Sequence, residues 1–357
     1  MGALVGLLGL VIVSLIAAKD LNQVDWDVSL FGAFGEEHLE TREYAEERLG
    51  EVYLRILQGH DGKYFFVQSN DPWVLDPRQN ASVLDRPLYR SQRMLYPMLA
   101  GGAGLFGPEV IIWAMLIVNL IAVGVGTWAV AAIAGHMGGS PWWGLAFALN
   151  PGFITEMSIG GAGIVAAACA FWGLVFLLRS RLFLLVLMLA LAVLAREAML
   201  IMAAGTAFWL WRRGERRESA LALGVPIAAV VGWALYLRMR IGWESGVSQV
   251  QELGLPFVGF IRAFESWMSD PLGLAMGLVL MLLLLLFTRR VVMSDQLVGW
   301  ACVGFVPLAF LFTEQVWLNY FDIARAVAPV ITAYILLLFL DRPRAKEPEH
   351  ERTGVRP

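Results

Sequence analysis

Residues 182–211 read LFLLVLMLALAVLAREAMLIMAAGTAFWLW, an apolar run interrupted only by Arg196-Glu197. As one straight helix it would be about 45 Å long, well beyond the roughly 30 Å of a bilayer's hydrocarbon core. It is therefore read as a hairpin of two short helices meeting near Arg196-Glu197, although no glycine or proline marks the turn. The choice matters beyond these residues. A single helix here would place every later connection on the opposite side of the membrane.

Similar runs occur along the whole chain. They cover 2–18, 109–134, 141–157, 161–178, 182–195, 197–211, 219–237, 271–288, 295–312 and 323–340. The chain has 357 residues, 58% apolar and only 16% charged, with mean hydropathy +0.65. A soluble globule carries about 25% charged residues. The expectation is an all-α polytopic membrane protein of about ten transmembrane helices, one domain over 1–340. The first run has no basic flank of the kind a cleaved signal peptide carries, so it reads as an anchor. Basic connections face the cytoplasm. Arg179/Arg181, Arg212/Arg213/Arg216/Arg217, Arg289/Arg290 and the basic tail all fall inside if the N-terminus is cytoplasmic and 92–106 does not cross. Arg238 and Arg240, at the outer end of a span, go against the rule. The tail 341–357 reads as disordered and cytoplasmic.

A net charge of −3 gives no basic footprint for nucleic acid. Cys169 and Cys302 lie inside apolar runs, so a disulfide is not expected, and the four histidines show no zinc-ligand spacing.

Three long polar segments remain outside: 19–108, 241–270 and 313–322. Within 36–58, Ala45, Leu49, Val52, Tyr53, Ile56 and Leu57 form one helical stripe, with Gly59 placed as its C′ glycine; this predicts an amphipathic helix in the first loop. Asp85 and Pro87 suit the cap and first turn of a short helix that would set Arg86, Arg90 and Arg93 on one face. Three forked guanidiniums suit phosphate oxygens, and equally a basic edge against lipid headgroups. Asn80-Ala81-Ser82 matches a glycosylation acceptor. Charged groups at membrane depth are costly and mark function. Here they are Glu156, Arg196, Glu197 and Arg325, all towards the outer side. Arg196 could instead pair with Glu156 or Glu197 to staple helices.

Three features together resemble the GT-C superfamily of membrane glycosyltransferases, closest to small bacterial members that use polyprenyl-phosphate sugars. One is a single first span followed by a long outer loop with Asp61-Gly62-Lys63-Tyr64-Phe65. Another is Arg93 to Pro97 leading to Leu105-Phe106-Gly107. The third is the set Asn150-Pro151, Arg196-Glu197 and Arg325-Ala326-Val327-Ala328-Pro329. The resemblance implies a polyprenyl-phosphate-linked sugar donor. Its sugar would pass with inversion to a hydroxyl of an extracytoplasmic glycan, lipid or protein at a bacterial inner membrane. It implies a carboxylate general base in the first loop, matched by Asp61, with Asp27 and Glu156 as alternatives. The acid that many relatives carry at the segment matching Gly160–Gly163 is absent, and Glu156 stands nearest to it.

A hydroxyl is a weak nucleophile and needs a positioned base, while the departing lipid phosphate gains charge that arginines stabilise. Arg86, Arg90, Arg93 and Arg325 are the phosphate candidates. Tyr64, Trp73, Tyr89, Tyr96, Arg196 and Glu197 are candidates for the sugar and acceptor pocket, although tyrosine and tryptophan at this depth also serve as interfacial anchors. No metal site is read directly. A divalent ion, Mg2+ or Mn2+, would have Asp61, Asp71 and Glu156 as oxygen ligands. Two other readings fit the same chain: a transporter or flippase of lipid-linked sugar, and a non-catalytic subunit of a glycan-assembly complex.

Overall fold

The computed structural model describes residues 1–242 and 253–340; residues 243–252 of the second polar segment and the tail 341–357 lie outside the described residues, as does the expectation of a disordered tail. The architecture is nearly all helical. Its only sheet among the described residues is a two-residue parallel pair, Phe34–Gly35 with Leu54–Arg55.

Among the described residues, four helices are long and apolar enough to cross a membrane: Gly2–Asn22, Pro108–His136, Arg216–Ile241 and Pro271–Ser294. A fifth crossing is obtained if Tyr320–Ala326 and Ala328–Phe339, bent by 68°, count as one span. The other expected spans are shorter. Gly163–Leu178, Leu182–Ala195 and Leu297–Leu311 are apolar but short. The run 141–157 is not one helix at all. Ser140-Pro141 and Asn150-Pro151 start new turns, which divide it into Pro141–Gly144, Leu145–Ala148 and Pro151–Ser158.

Small residues bring the first two long helices close together. Gly2–Asn22 packs on Pro108–His136, where a Cβ on Gly6 would sit 2.8 Å from the Gly124 carbonyl oxygen. Such small-residue seams let helix backbones approach without a polar bond.

The break at Arg196 is real. Its backbone is extended (φ −155°, ψ 118°) between Leu182–Ala195 and Leu200–Arg212. Leu185 and Leu189 before it share one buried cluster with Ala203, Ala207 and Leu210 after it and with Ala222, so the chain folds back and both short helices pack on Arg216–Ile241. At the far end of the second, Arg212 Nη1 meets Asp295 Oδ1 at 2.6 Å. The Arg196 apex and the Arg212 end therefore lie at opposite ends of the bundle. The Arg196 end also carries the first loop, because Trp233 donates to the Ser91 carbonyl (2.8 Å) and Arg240 to those of Val74 and Leu75. Arg240 is thereby tied to loop backbone.

The first loop departs from the expected stripe. The helix is Leu39–Leu49 and stops at Gly50 (φ +80°). Ala45 is buried, but Ile56 and Leu57 are exposed, beyond a strand that pairs back to Phe34–Gly35. Gly59 (φ +67°) serves the turn into Asp61, not a helix end. The helix with one clearly apolar face is Val258–Trp267, in the second polar segment. Asn80 is buried, with its amide on Asp71 Oδ2 (3.1 Å), so it is not presented as a glycosylation acceptor. Leu95–Ala100 has six residues, too short to cross.

Asn150-Pro151-Gly152 locks Pro151–Ser158 onto the last bent helix pair. Asn150 Oδ1 accepts from Gly152 N (2.9 Å), while its Nδ2 donates to the Ala328 carbonyl (2.8 Å) and Thr332 Oγ1 (3.0 Å). Gly152 lies against the Ala324 carbonyl, with no room for a Cβ. Gly152→Ala is therefore expected to push Pro151–Ser158 off Tyr320–Ala326 and cost about 1–3 kcal/mol, the usual overpacking penalty. A melting curve in detergent checks this, and an unchanged midpoint would show that the seam can widen freely.

Candidate active site

Asp61 precedes helix Gly62–Asn70, which is buried over almost its whole length. That burial holds the carboxylate still. A Cβ on Gly62 would lie 2.7–2.8 Å from the carbonyl oxygens of Ile159, Gly32 and Phe31, so only glycine lets the chain pass here. The Asp61 carboxylate then faces three guanidiniums. Arg90 Nη1 is 3.1 Å from Oδ1, Arg325 Nη2 is 3.4 Å from Oδ2, and Arg93 Nη1 is 3.9 Å from Oδ2.

Each arginine has a second carboxylate behind it. Arg90 forks onto Asp85 (2.8 and 3.0 Å) and Arg93 onto Glu197 (2.9 and 3.0 Å). Arg325 Nε meets Asp322 Oδ1 at 3.2 Å. Arg196 Nη1 meets Glu156 Oε1 at 2.6 Å. Bidentate backing of this kind fixes a guanidinium's plane and leaves its remaining N–H groups to point forward. Arg325 Nη1 is buried with no hydrogen-bond partner among the described residues.

Together these groups line a cavity of about 220 Å3 that presents four arginines (Arg90, Arg93, Arg196, Arg325) against two acids, Asp61 and Asp322. The lining thus carries a surplus of two positive charges. Phe312, Val316 and Ala326 form an apolar part of the same wall.

The sequence candidates divide cleanly. Asp61, Arg90, Arg93, Arg196, Arg325 and Tyr89 line the cavity, and Tyr64 lines a small recess beside Asp61. Glu197 and Glu156 stand behind Arg93 and Arg196. The others are elsewhere. Asp85 does not cap the short helix Pro87–Arg90, whose N-cap residue is Arg86. Arg86 pairs with Asp85 at 3.5 Å and lies over the Tyr89 ring, away from the cavity. Tyr96 is core, fully buried with its hydroxyl on the Met115 carbonyl (2.9 Å). Trp73 donates to the Ala103 carbonyl (2.9 Å) at the surface. Asp27 caps a turn through Ser29 N (2.9 Å), and Asp71 accepts from Leu75 N and Asp76 N. Asp61, Asp71 and Glu156 do not converge as metal ligands. Among the described residues no group of three His, Cys, Asp or Glu side chains could hold an ion.

Glu156 does lie over the glycine segment. Its Oε2 is 3.4 Å from Gly163 N, in space that a Cβ on Gly161 or Gly163 would fill. Sequence reasoning missed Asp322 and Asp85 as partners. Their only signal was spacing, three residues before Arg325 and five before Arg90.

Burial alone would raise the Asp61 carboxyl, but Arg325, Arg93 and Arg90 outweigh it and hold it well below the usual carboxylate range. Burial lowers His60, helped by Arg325, and burial with nearby Lys63 lowers His38. The signs give a testable profile. A histidine lowered in the fold takes up protons more readily when unfolded, so its contribution to stability is lost as pH falls from 6.5. Asp61 is lowered, so its contribution persists above 3.8 and is lost only as pH falls below that value. A melting series is expected to decline from pH 6.5 downward, with a further loss below 3.8. A flat curve through the first range would show that neither histidine is held neutral.

No protein-family model matches the chain, and no curated protein matches it.

Proposed function

We propose that the chain is a polytopic GT-C-type glycosyltransferase of a bacterial inner membrane. It takes a sugar from a polyprenyl-phosphate donor and moves it, with inversion, to an extracytoplasmic hydroxyl. In this reading both termini are cytoplasmic. About ten segments enter or cross the bilayer, the short ones as broken or paired helices, and the first loop with Asp61 faces outward. The observation that carries the reading is the meeting of Asp61 with Arg90, Arg93 and Arg325, drawn from the first loop and the last bent helix pair.

Each part has a role in that chemistry. The four-arginine wall suits a lipid phosphate, and the buried, unpartnered Arg325 Nη1 suits one of its oxygens. Phe312 and Val316 suit the first isoprene units. In the transfer the acceptor oxygen bonds the anomeric carbon and its proton passes to the Asp61 carboxylate. The bond from that carbon to the phosphate oxygen breaks, and the polyprenyl phosphate leaves with the electron pair. A carboxylate held by three guanidiniums is a weak base. An incoming phosphate competes for the same guanidiniums, so donor binding restores basicity to Asp61.

One observation favours the non-catalytic reading instead: every lining arginine already has a carboxylate partner, as a purely structural network requires. The test is to incubate the purified protein with polyprenyl-phosphate sugars and follow the donor by mass spectrometry. Donor cleavage, slow and acceptor-accelerated, is expected. Binding without cleavage, combined with sugar movement across proteoliposomes, would replace this reading with the transporter.

A further inference from the structure

A second cavity, of about 310 Å3, adjoins the arginine cavity and shares Asp322 with it. Its wall is chemically different. One arginine (Arg55) and one acid (Asp322) balance, so there is no surplus charge for an anion. His60, Asn319 and Phe321 complete the polar and aromatic faces. Phe321 is 48% exposed. Asn319 uses Oδ1 to cap the next helix (3.1 Å to Phe321 N). Arg55 Nη2 is committed to the Ser158 and Leu30 carbonyls, but its Nε is buried with no hydrogen-bond partner among the described residues.

We propose that this second cavity is a subsite for an uncharged saccharide, the acceptor of the transfer proposed above, on which the inference rests. Sugar hydroxyls both donate and accept. The wall offers an acceptor (Asp322), donors (Arg55), and two side chains that do both, Asn319 and neutral His60. The Phe321 ring offers an electron-rich face to the C–H side of a pyranose. Ile154 and Ile159 give the wall one apolar patch, but the ionised and hydrogen-bonding groups Arg55, His60, Thr155, Ser158, Asn319 and Asp322 outnumber it, which suits a saccharide better than a lipid chain. A peptide that docks as an added strand needs a sheet edge, and the two-residue strands among the described residues give it none. The size matches the lower end of small-ligand sites, about 300 Å3.

The acceptor is also more than one sugar long. A third cavity, of about 220 Å3, shares Arg55 and Ser158 with the second and continues past Tyr53 to Gln23 and Asp20. The three cavities form a row that starts at the arginine site and runs along the first loop. A glycan laid in it presents one terminal hydroxyl towards Asp322 and Asp61, and its next residues lie beyond Arg55.

The full-length protein in nanodiscs tests this by native mass spectrometry and titration. The probes are uncharged manno-, gluco- and galacto-disaccharides and tetrasaccharides, an uncharged hexapeptide, and undecaprenyl phosphate. In at least one series the tetrasaccharide is expected to bind more tightly than the disaccharide. Phe321→Ala should weaken saccharide binding at least tenfold. Asn319→Asp keeps the capping oxygen but removes the donor, and should weaken it likewise. Neither should change undecaprenyl phosphate binding by more than about twofold, a control that also reports folding. If undecaprenyl phosphate binds but no saccharide does, or the hexapeptide binds instead, the inference falls and the donor reading stands. If saccharides bind and respond to both variants while undecaprenyl phosphate does not bind, the donor reading falls and the saccharide site stands.

Discussion

Asp61→Asn is expected to lower the transfer rate by about a thousandfold while leaving the donor bound at least as tightly as before. The rate loss is the usual effect of removing a positioned general base, roughly 10²–10⁴-fold. The affinity argument comes from the contacts. In the resting site Asp61 competes with any incoming phosphate for Arg90, Arg93 and Arg325. Asparagine keeps the shape and removes the competing charge. The protein should tolerate the change, because Arg90, Arg93 and Arg325 retain Asp85, Glu197 and Asp322. A loss of about 1–3 kcal/mol is expected, the cost of hydrogen bonds left unmade. Arg325→Ala should do the opposite and weaken donor binding first. Single-turnover rates and donor titrations separate the two variants. Transfer by Asp61→Asn within about threefold of the wild type would remove Asp61 as the base.

Residue chemistry made part of this legible and hid the rest for physical reasons. Arg196-Glu197 could be read as a break because a straight helix over 182–211 would overrun the bilayer core, and two charges in an apolar run must find partners. They find them in Glu156 and Arg93. Arg90 and Arg93 were legible by helical spacing and Arg325 as a charge at the start of the last apolar run, and all three meet Asp61. Arg86 looked equivalent by helical spacing, but the Pro87–Arg90 helix is a single turn, and the chain turns before a common face can form. The apolar stripe of 36–58 misled because its spacing continues through Gly50 as if the helix did. The pairing of Leu54–Arg55 with Phe34–Gly35, a contact between distant residues, decides the outcome. Tyr96 and Trp73 show another gap: residue type cannot tell a pocket wall from a core residue with a satisfied hydroxyl, as Tyr96 is, or from a surface ring tied down by its indole N–H, as Trp73 is. The run 141–157 carried its own signal, since two prolines each sit one residue into a new helix.

Glu156→Ala is expected to be among the most destabilising single substitutions in the protein, at about 3–5 kcal/mol. The Glu156 side chain is only 4% exposed and holds Arg196 at 2.6 Å. Removing one partner of a buried pair leaves the other charge uncompensated, which costs far more than the pair itself contributes. The replacement also empties space above Gly161 and Gly163, which now accommodates the carboxylate. Arg196→Ala alone should cost less, because Arg196 is 17% exposed and borders the water-accessible cavity. The double variant is the informative one. If the pair staples Pro151–Ser158 to the apex of the hairpin, removing both partners should cost less than the sum by about 1–3 kcal/mol. Melting of all four proteins in one detergent gives that coupling. A value within about 0.5 kcal/mol of zero would show that Glu156 and Arg196 act independently. Arg196 would then be free to turn towards the donor phosphate, and its substitution should weaken donor binding as Arg325→Ala does.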